Sequence, residues 1–443
     1  GRNVAVYPDD GLQAEGKGRR TRYGLMAYPD RTQAPDFQLS TDYSLAQPEQ
    51  FHSGTVPVFA FRQISQEAVR IELLFDAGKW HEPGPGISHF ASQLLSKGTR
   101  HRNAFAVAEG FESLGAHLEV SPGYDITTVA LFALRKNVVE AMKLLGEVLT
   151  EPAFDEEELR IMKEIFLQNL RVQNEKTSVV ASKEIRKAIF GGSHPYGSSL
   201  EEHQLTGLRT IALRDYYQKH FKLRAVFIVG RLDDQVLREV MHLLPPSPPI
   251  VTPAEHIPHP GRSLTLRREN SVQASIRLGA LFPQKQHSAE HFATVLVNHI
   301  LGGFFGSRLM KNIREEKGLT YGIYSSINHF ERSSCWVIGA EVNQQNADQA
   351  LVEIRKEIEV LRSVAVPVDE LENARNYFIG SWQSENATLF SVSDKIKGLF
   401  LAGLTPAYYT DLLRFVSSCS SAQLLEAAHH HFDPARLIEV RVG

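Results

Sequence analysis

The chain has 443 residues, 42% of them hydrophobic, with 48 Lys and Arg against 51 Asp and Glu. That length exceeds what one apolar core usually organises and predicts two domains. The near balance of charge, without a basic run interleaved with aromatics, argues against nucleic acid or an anionic membrane as the main partner, and the sequence offers no run of about 18 uninterrupted apolar residues to span a bilayer.

The only cysteines, Cys335 and Cys419, form no C-x-x-C pair, which excludes a disulfide framework and a thiolate zinc cluster. Residues 1–36 are polar and glycine-rich and read as a flexible lead-in. They lack the apolar core of a secretory signal, so the expectation is a cytoplasmic protein, or a periplasmic one if the N-terminus has been processed. An N-terminal domain is expected over residues 37–243 and a Pro-rich linker over 244–262, "LPPSPPIVTPAEHIPHPGR", where proline denies donors to helix and central strand alike. A C-terminal domain is expected over residues 263–443.

The two predicted domains repeat one order of elements at an offset of roughly 200 to 215 residues. Each opens with a strand-like run, "AVRIELLFDAG" (68–78) or "ASIRLGALFP" (274–283), then a helix carrying His-Phe-Ala at His89 or His291. Alternating residues follow, "HLEVSPGYDITTVALFAL" (117–134) in one and "TYGIYSSINHF" with "CWVIGAEV" (320–342) in the other. Next come paired helical patterns broken by a proline, with Asp155 and Asp369 expected as N-caps. Each half closes on a helix, a turn and a strand, "YYQKHFKLRAVFIVG" or "AAHHHFDPARLIEVRVG". The predicted class is α+β: two homologous domains, each a mostly antiparallel or mixed sheet covered by helices.

The stretch "GISHFASQLLSKGT" (86–99) has the rhythm of a metal-site helix. Inverted zinc peptidases set two His at i and i+4 of a helix as ligands, with a Glu between them that activates the bound water. Here Gly86, His89, Phe90, Lys97, Gly98 and Thr99 match, and the chain resembles the pitrilysin and mitochondrial-processing-peptidase family, whose motif runs G-x-x-H-F-x-E-H-x-x-x-K-G-T. Ser92 stands at the catalytic Glu and Gln93 at the second His. The resemblance places the later acidic ligand among Glu157 and Glu164, seven positions apart as in the family. A serine hydroxyl is no general base near neutral pH, and an amide oxygen is a poor zinc ligand, so the zinc site is read as degenerate and no metal is expected in this chain.

The literal string H-x-x-E-H occurs as "HSAEH", His287 to His291, with Glu290 inside it. Lining up the halves through His-Phe-Ala puts His287 a turn too early, and no acidic third ligand follows, so a polar first helical turn is the expected reading; a self-sufficient zinc site here is the alternative. His429, His430 and His431 are read as a helix terminus complementing the dipole.

In "LGGFFGSRLMKNIREEKGLTYGIYSS" (301–326), Arg314 and Tyr321 lie seven apart with Gly318 at the helix end. Taken alone, this suits a dipole-complementing Arg, a glycine C-cap and a wet Tyr at a strand start. The family resemblance implies more: there the matching Arg and Tyr belong to the half opposite the zinc and donate hydrogen bonds to the peptide and the developing oxyanion. The resemblance therefore implies the non-catalytic subunit of a heterodimeric zinc metallopeptidase. Its zinc-bearing homologous partner would hold the metal, and its substrates would be extended peptides. A scaffold subunit of a larger complex is the alternative from a different class.

Overall fold

The structure, a computed structural model, describes residues 44–246, 254–269 and 271–443. The expected lead-in over residues 1–36 and residues 247–253 of the expected linker lie outside them. The first run of elements is β1 (Glu49–Ser53), β2 (Val56–Phe61), β3 (Ala68–Phe75), α1 (Ile87–Leu94), α2 (Ala104–Ser113), β4 (His117–Pro122), β5 (Thr127–Leu134), α3 (Val138–Thr150), α4 (Glu156–Glu175), α5 (Thr177–Phe190), α6 (Thr210–His220), β6 (Leu223–Val229) and α7 (Asp234–His242). The second is β7 (Leu264–Leu266), β8 (Gln273–Phe282), α8 (Ala289–Asn298), β9 (Thr320–His329), β10 (Ser334–Asn343), α9 (Ala347–Ser363), α10 (Val368–Glu385), α11 (Leu389–Leu401), α12 (Ala407–Ser418), α13 (Ser421–His431) and β11 (Ile438–Val442). Two π-helical turns, His299–Gly303 and Met310–Glu316, fill the stretch between α8 and β9.

The strands form two sheets, in the orders β1-β2-β6-β3-β5-β4 and β7-β11-β8-β10-β9. Neighbours are antiparallel except β2 with β6 and β11 with β7, so both sheets are mixed and the α+β class holds. Strand period explains the sheet faces. On β3, Val69, Ile71 and Leu73 turn to one face and join a core with Phe90, Leu94, Leu145 and Val226. The alternate residues Arg70 and Glu72 are also buried, because α11 of the second half covers that face. There Asp394 lies 3.0 Å from Arg70, and Lys397 Nζ lies 2.7 Å from Glu72.

The second sheet repeats this arrangement in reverse. Helix α5, from the first half of the sequence, packs on β8 and β11, with Ala181, Ile185 and Ile189 against Val337, Val440 and Val442. Arg277 on β8 reaches Glu341 at 2.6 Å and Ser182 of α5 at 3.3 Å. Gly279 lets α5 come close, since a Cβ there would stand 2.7 Å from Ile189 Cδ1. Each half thus covers the charged face of the other's sheet with one helix. Asp125 adds a tie between the two connecting loops, accepting from Tyr196 at 2.6 Å and from Arg332 at 2.9 Å.

Asp155 caps α4 as expected, accepting from Glu157 N and Glu158 N. Asp369 does not cap α10. The N-cap is Pro367, whose φ of −57 and extended ψ already aim the chain into the helix, and Asp369 falls in the first turn, where it still complements the dipole.

Candidate functional site: an unarmed helix and an open edge

Gly86 is the N-cap of helix α1, and its φ of 87 lies in the left-handed region that favours glycine. Its apolar stripe, Ile87, Phe90, Ala91 and Leu94, is buried in the core. Glu82, which sequence reasoning passed over, anchors the helix start by accepting from Ser88 N at 3.2 Å and Ser88 Oγ at 2.8 Å. Burial holds its carboxyl above the ordinary range. An acid just before a helix was the available signal.

Ser92 is 0% exposed. Its hydroxyl donates to Ser88 O at 2.7 Å and lies 3.1 Å from Thr127 Oγ1, which in turn donates to Ala77 O at 2.7 Å. The hydroxyl is consumed by local structure and cannot reach a substrate. Gln93 Nε2 donates to Val120 O of β4 at 2.8 Å, so the amide braces the helix against the edge of the first sheet. His89 packs its ring 5.2 Å from Phe90 and 5.3 Å from Phe166, and burial lowers its pKa.

The structure does not bring Glu157 or Glu164 to His89. Both are exposed on α4 and both bind Arg160, Glu157 Oε1 at 2.6 Å and Glu164 Oε1 at 2.6 Å. The residue of α4 that meets His89 is Phe166. Among the described residues, no group of three or more His, Cys, Asp or Glu is arranged to hold a metal ion.

The second-half string is also dispersed. Helix α8 begins at Ala289 with Ser288 as N-cap, so His287 precedes the helix and does not share a face with His291. His287 Nε2 lies 2.9 Å from Asp411 Oδ2, Glu290 Oε1 lies 2.7 Å from His431 Nε2, and His291 Nε2 lies 3.0 Å from the Tyr408 hydroxyl. Three residues thus have three separate partners. Burial first, then nearby cationic groups, pushes His291 down to about 3 and keeps it neutral. His429, His430 and His431 end α13.

Arg314 sits on the π-helical turn Met310–Glu316, which Gly318 ends at φ 61 with its N–H donating to Arg314 O at 3.2 Å. The guanidinium lies 4.7 Å from the Phe305 ring. Tyr321 begins β9, the outermost strand of the second sheet, and is 93% exposed. The ladder explains that exposure. Thr320 pairs with Val342 and Ile323 with Ala340, so Tyr321 and Gly322 together oppose one residue and bulge the strand. Thr320 Oγ1 accepts from Gly322 N at 3.2 Å and donates to Glu341 O at 2.6 Å, and a bulge of this kind re-aims a side chain out of the pleat. Among the described residues neither Arg314 nor Tyr321 hydrogen-bonds through its side chain, so both donors are free for a ligand.

Comparison with known proteins gives consistent findings. A family profile described as "Insulinase (Peptidase family M16)" matches residues 58–203, and one described as "Peptidase M16 inactive domain" matches residues 211–378. The "Uncharacterized zinc protease YmxG" of Bacillus subtilis is 25% identical over 322 residues, 71% of this chain and 78% of that protein. The "Non-peptidase homolog YmxG" of Helicobacter pylori is 24% identical over 358 residues, 78% of this chain and 82% of that protein. In three dimensions the chain is similar to the crystal structure of a peptidase M16 inactive domain from Pseudomonas fluorescens, with a TM-score of 0.81, 23% identity, and coverage of 90% of this chain and 98% of that one.

Proposed function

Given that the chain belongs to peptidase family M16 as a pitrilysin-like member without the catalytic motif, we propose that it is the non-catalytic subunit of a two-subunit zinc metallopeptidase. In this reading a homologous partner carries the zinc, and this chain supplies Arg314 and Tyr321 as donors to an extended peptide and to the oxyanion that forms on it. The observation that carries the reading is an asymmetry. The hydroxyl of Ser92 is sealed and bonded, while Tyr321 stands 93% exposed and the Arg314 guanidinium has no carboxylate partner.

The chemistry follows from placement. Donors fixed at the end of a capped helical turn and on a bulged strand lose little freedom when they meet charge, so they stabilise a tetrahedral oxyanion more than a ground-state carbonyl. The outer side of β9 also leaves backbone groups to which an extended peptide can add as a further strand. Nothing in α1 substitutes for the missing base, which is why the metal and the activated water are assigned to the partner.

The test is reconstitution with a zinc-bearing M16 relative from the same genome. Peptide hydrolysis is expected only from the mixture, with kcat/KM reduced by about 10²-fold or more in Arg314→Ala and in Tyr321→Phe, the size typical of a lost oxyanion donor. Full turnover with both variants would remove the clamp role. Absence of stimulation, together with stable incorporation into a larger assembly, would replace this reading with a scaffold.

A further inference from the structure

The second half contains a cavity of about 440 Å³ between α8, α10 and α12, closed on one side by the end of β9. Its place in the fold is informative. The alignment that sets His291 against His89 sets Val295 against Gln93, and the one that sets Leu371 against Leu159 sets Phe378 against Phe166. Val295 and Phe378 both line the cavity. It is therefore the second half's counterpart of the space where the first half would have held its metal, and a cavity of this size suits a small molecule.

The wall chemistry selects the ligand. Lys285 enters from the loop before α8, its Nζ 4.5 Å from the Tyr408 ring centroid and 5.5 Å from that of Tyr409. Its contacts are to those rings, and the one carboxylate of the wall, Glu385, is already paired with Lys395 at 3.0 Å. Burial, and then Lys395, holds the Lys285 ammonium down to about 8, as expected of a cation without a counter-charge. Around it, His329 is engaged through Nδ1 with Ser334 Oγ at 2.7 Å, which leaves Nε2 for another partner. Trp382, 8% exposed, and His299 keep Nε1 and Nε2 without a hydrogen bond in the same wall. Tyr377, Phe378 and Trp382 of α10 give the wall an aromatic side.

We propose that this cavity binds a small carboxylate with a flat apolar body, the carboxylate set against Lys285 and the body against the aromatic wall of α10. The anion completes an ion pair that the protein leaves open, and the rings supply area and stacking. A cationic ligand is disfavoured because Lys285 and Lys395 both face the space. The inference does not depend on the peptidase reading and stands or falls separately from it.

Calorimetric titration of the full chain with phenylacetate, phenylacetamide and phenethylamine tests it. Phenylacetate is expected to bind, the isosteric amide at least about tenfold more weakly and the amine not at all, since only the first carries the charge that Lys285 lacks. Lys285→Met should weaken phenylacetate by about tenfold or more while the circular dichroism spectrum is unchanged. Ser381→Tyr, which fills the cavity from α10 and leaves Lys285 in place, should abolish binding and guards against a folding defect in the first variant. Equal affinity for the acid and the amide, undiminished binding in either variant, or no binding of phenylacetate would each overturn the assignment.

Discussion

Helices α1 and α8 hold matching places in the two halves, each entering under its sheet with a His-Phe-Ala segment, yet their inward turns differ. Around α1 the space is closed: Phe90 and Phe166 lie 5.5 Å apart, His89 packs against both, and Gln93 is tied to β4. Around α8 it is open, lined by rings and lysines. At matching places in the two halves, one space is filled and without a base, while the other retains room. A filled site and an open cavity thus coexist within one chain.

The packing side of this comparison is tested by truncating the two phenylalanines that match each other. Phe90 is 0% exposed and Phe292 is 4% exposed, so Phe90→Ala and Phe292→Ala should each cost about 3–5 kcal/mol in denaturant unfolding. A much smaller loss at Phe292 would mean that the second core is the looser one.

The filled-in site can be challenged next by grafting the motif back as Ser92→Glu with Gln93→His. The pair should not bind stoichiometric zinc by elemental analysis, because Phe166 faces His89 and both candidate acids serve Arg160. It should also cost about 2–4 kcal/mol, from overpacking and from burying a carboxyl at a position that is 0% exposed. Tight zinc in that variant would show the helix to be closer to competence than its packing implies.

Acid stability sharpens the contrast at smaller scale. Burial holds His291 down to about 3 in the folded chain, below its ordinary 6.5. The unfolded state therefore takes up the proton first, and the contribution of neutral His291 is complete above about 6.5 and is lost as pH falls from there toward about 3. Within that window one such group gives a slope of up to about 1.4 kcal/mol per pH unit, and unfolding midpoints of His291→Asn should show a correspondingly shallower acid limb. His81 and His220 in the first half, and His299 and His329 in the second, are each held down to about 4 by burial first, so both halves share the trend. The smallest effect belongs to Glu157→Gln and Glu164→Gln, which should leave the melting temperature unchanged because these acids and their partner Arg160 are all exposed. A sizeable loss would reveal a hidden role for these acids.

Much of this is legible in the sequence. The period-two runs gave β3, β8 and the pairs β4–β5 and β9–β10, because strands with a core face must alternate. The substitutions at Ser92 and Gln93 were readable from residue type alone, since chemistry needs a base and a ligand at those places. What the sequence could not reveal was partnership. Nothing in the run 68–78 shows that Arg70 and Glu72 on β3 are buried beneath α11, an element more than three hundred residues away, as their bonds to Asp394 and Lys397 record. Likewise Glu157 and Glu164 have the spacing of the family's ligands, and only packing reveals that Phe166 holds the inward place. The cavity beside Lys285 has no local signature, as its wall comes from six separate segments of the second half.

The reciprocal placement of α5 and α11 has a consequence for how this chain reaches its native state. A half synthesised alone would present buried arginine and glutamate on a naked sheet and keep a helix with nowhere to lie. Neither could be expected as a stable fragment, and maturation of the first must await release of the second from the ribosome. Co-expressing the two as separate polypeptides should therefore rescue each other's solubility, a mutual dependence that the repeated sequence, read as two self-contained modules, would not suggest.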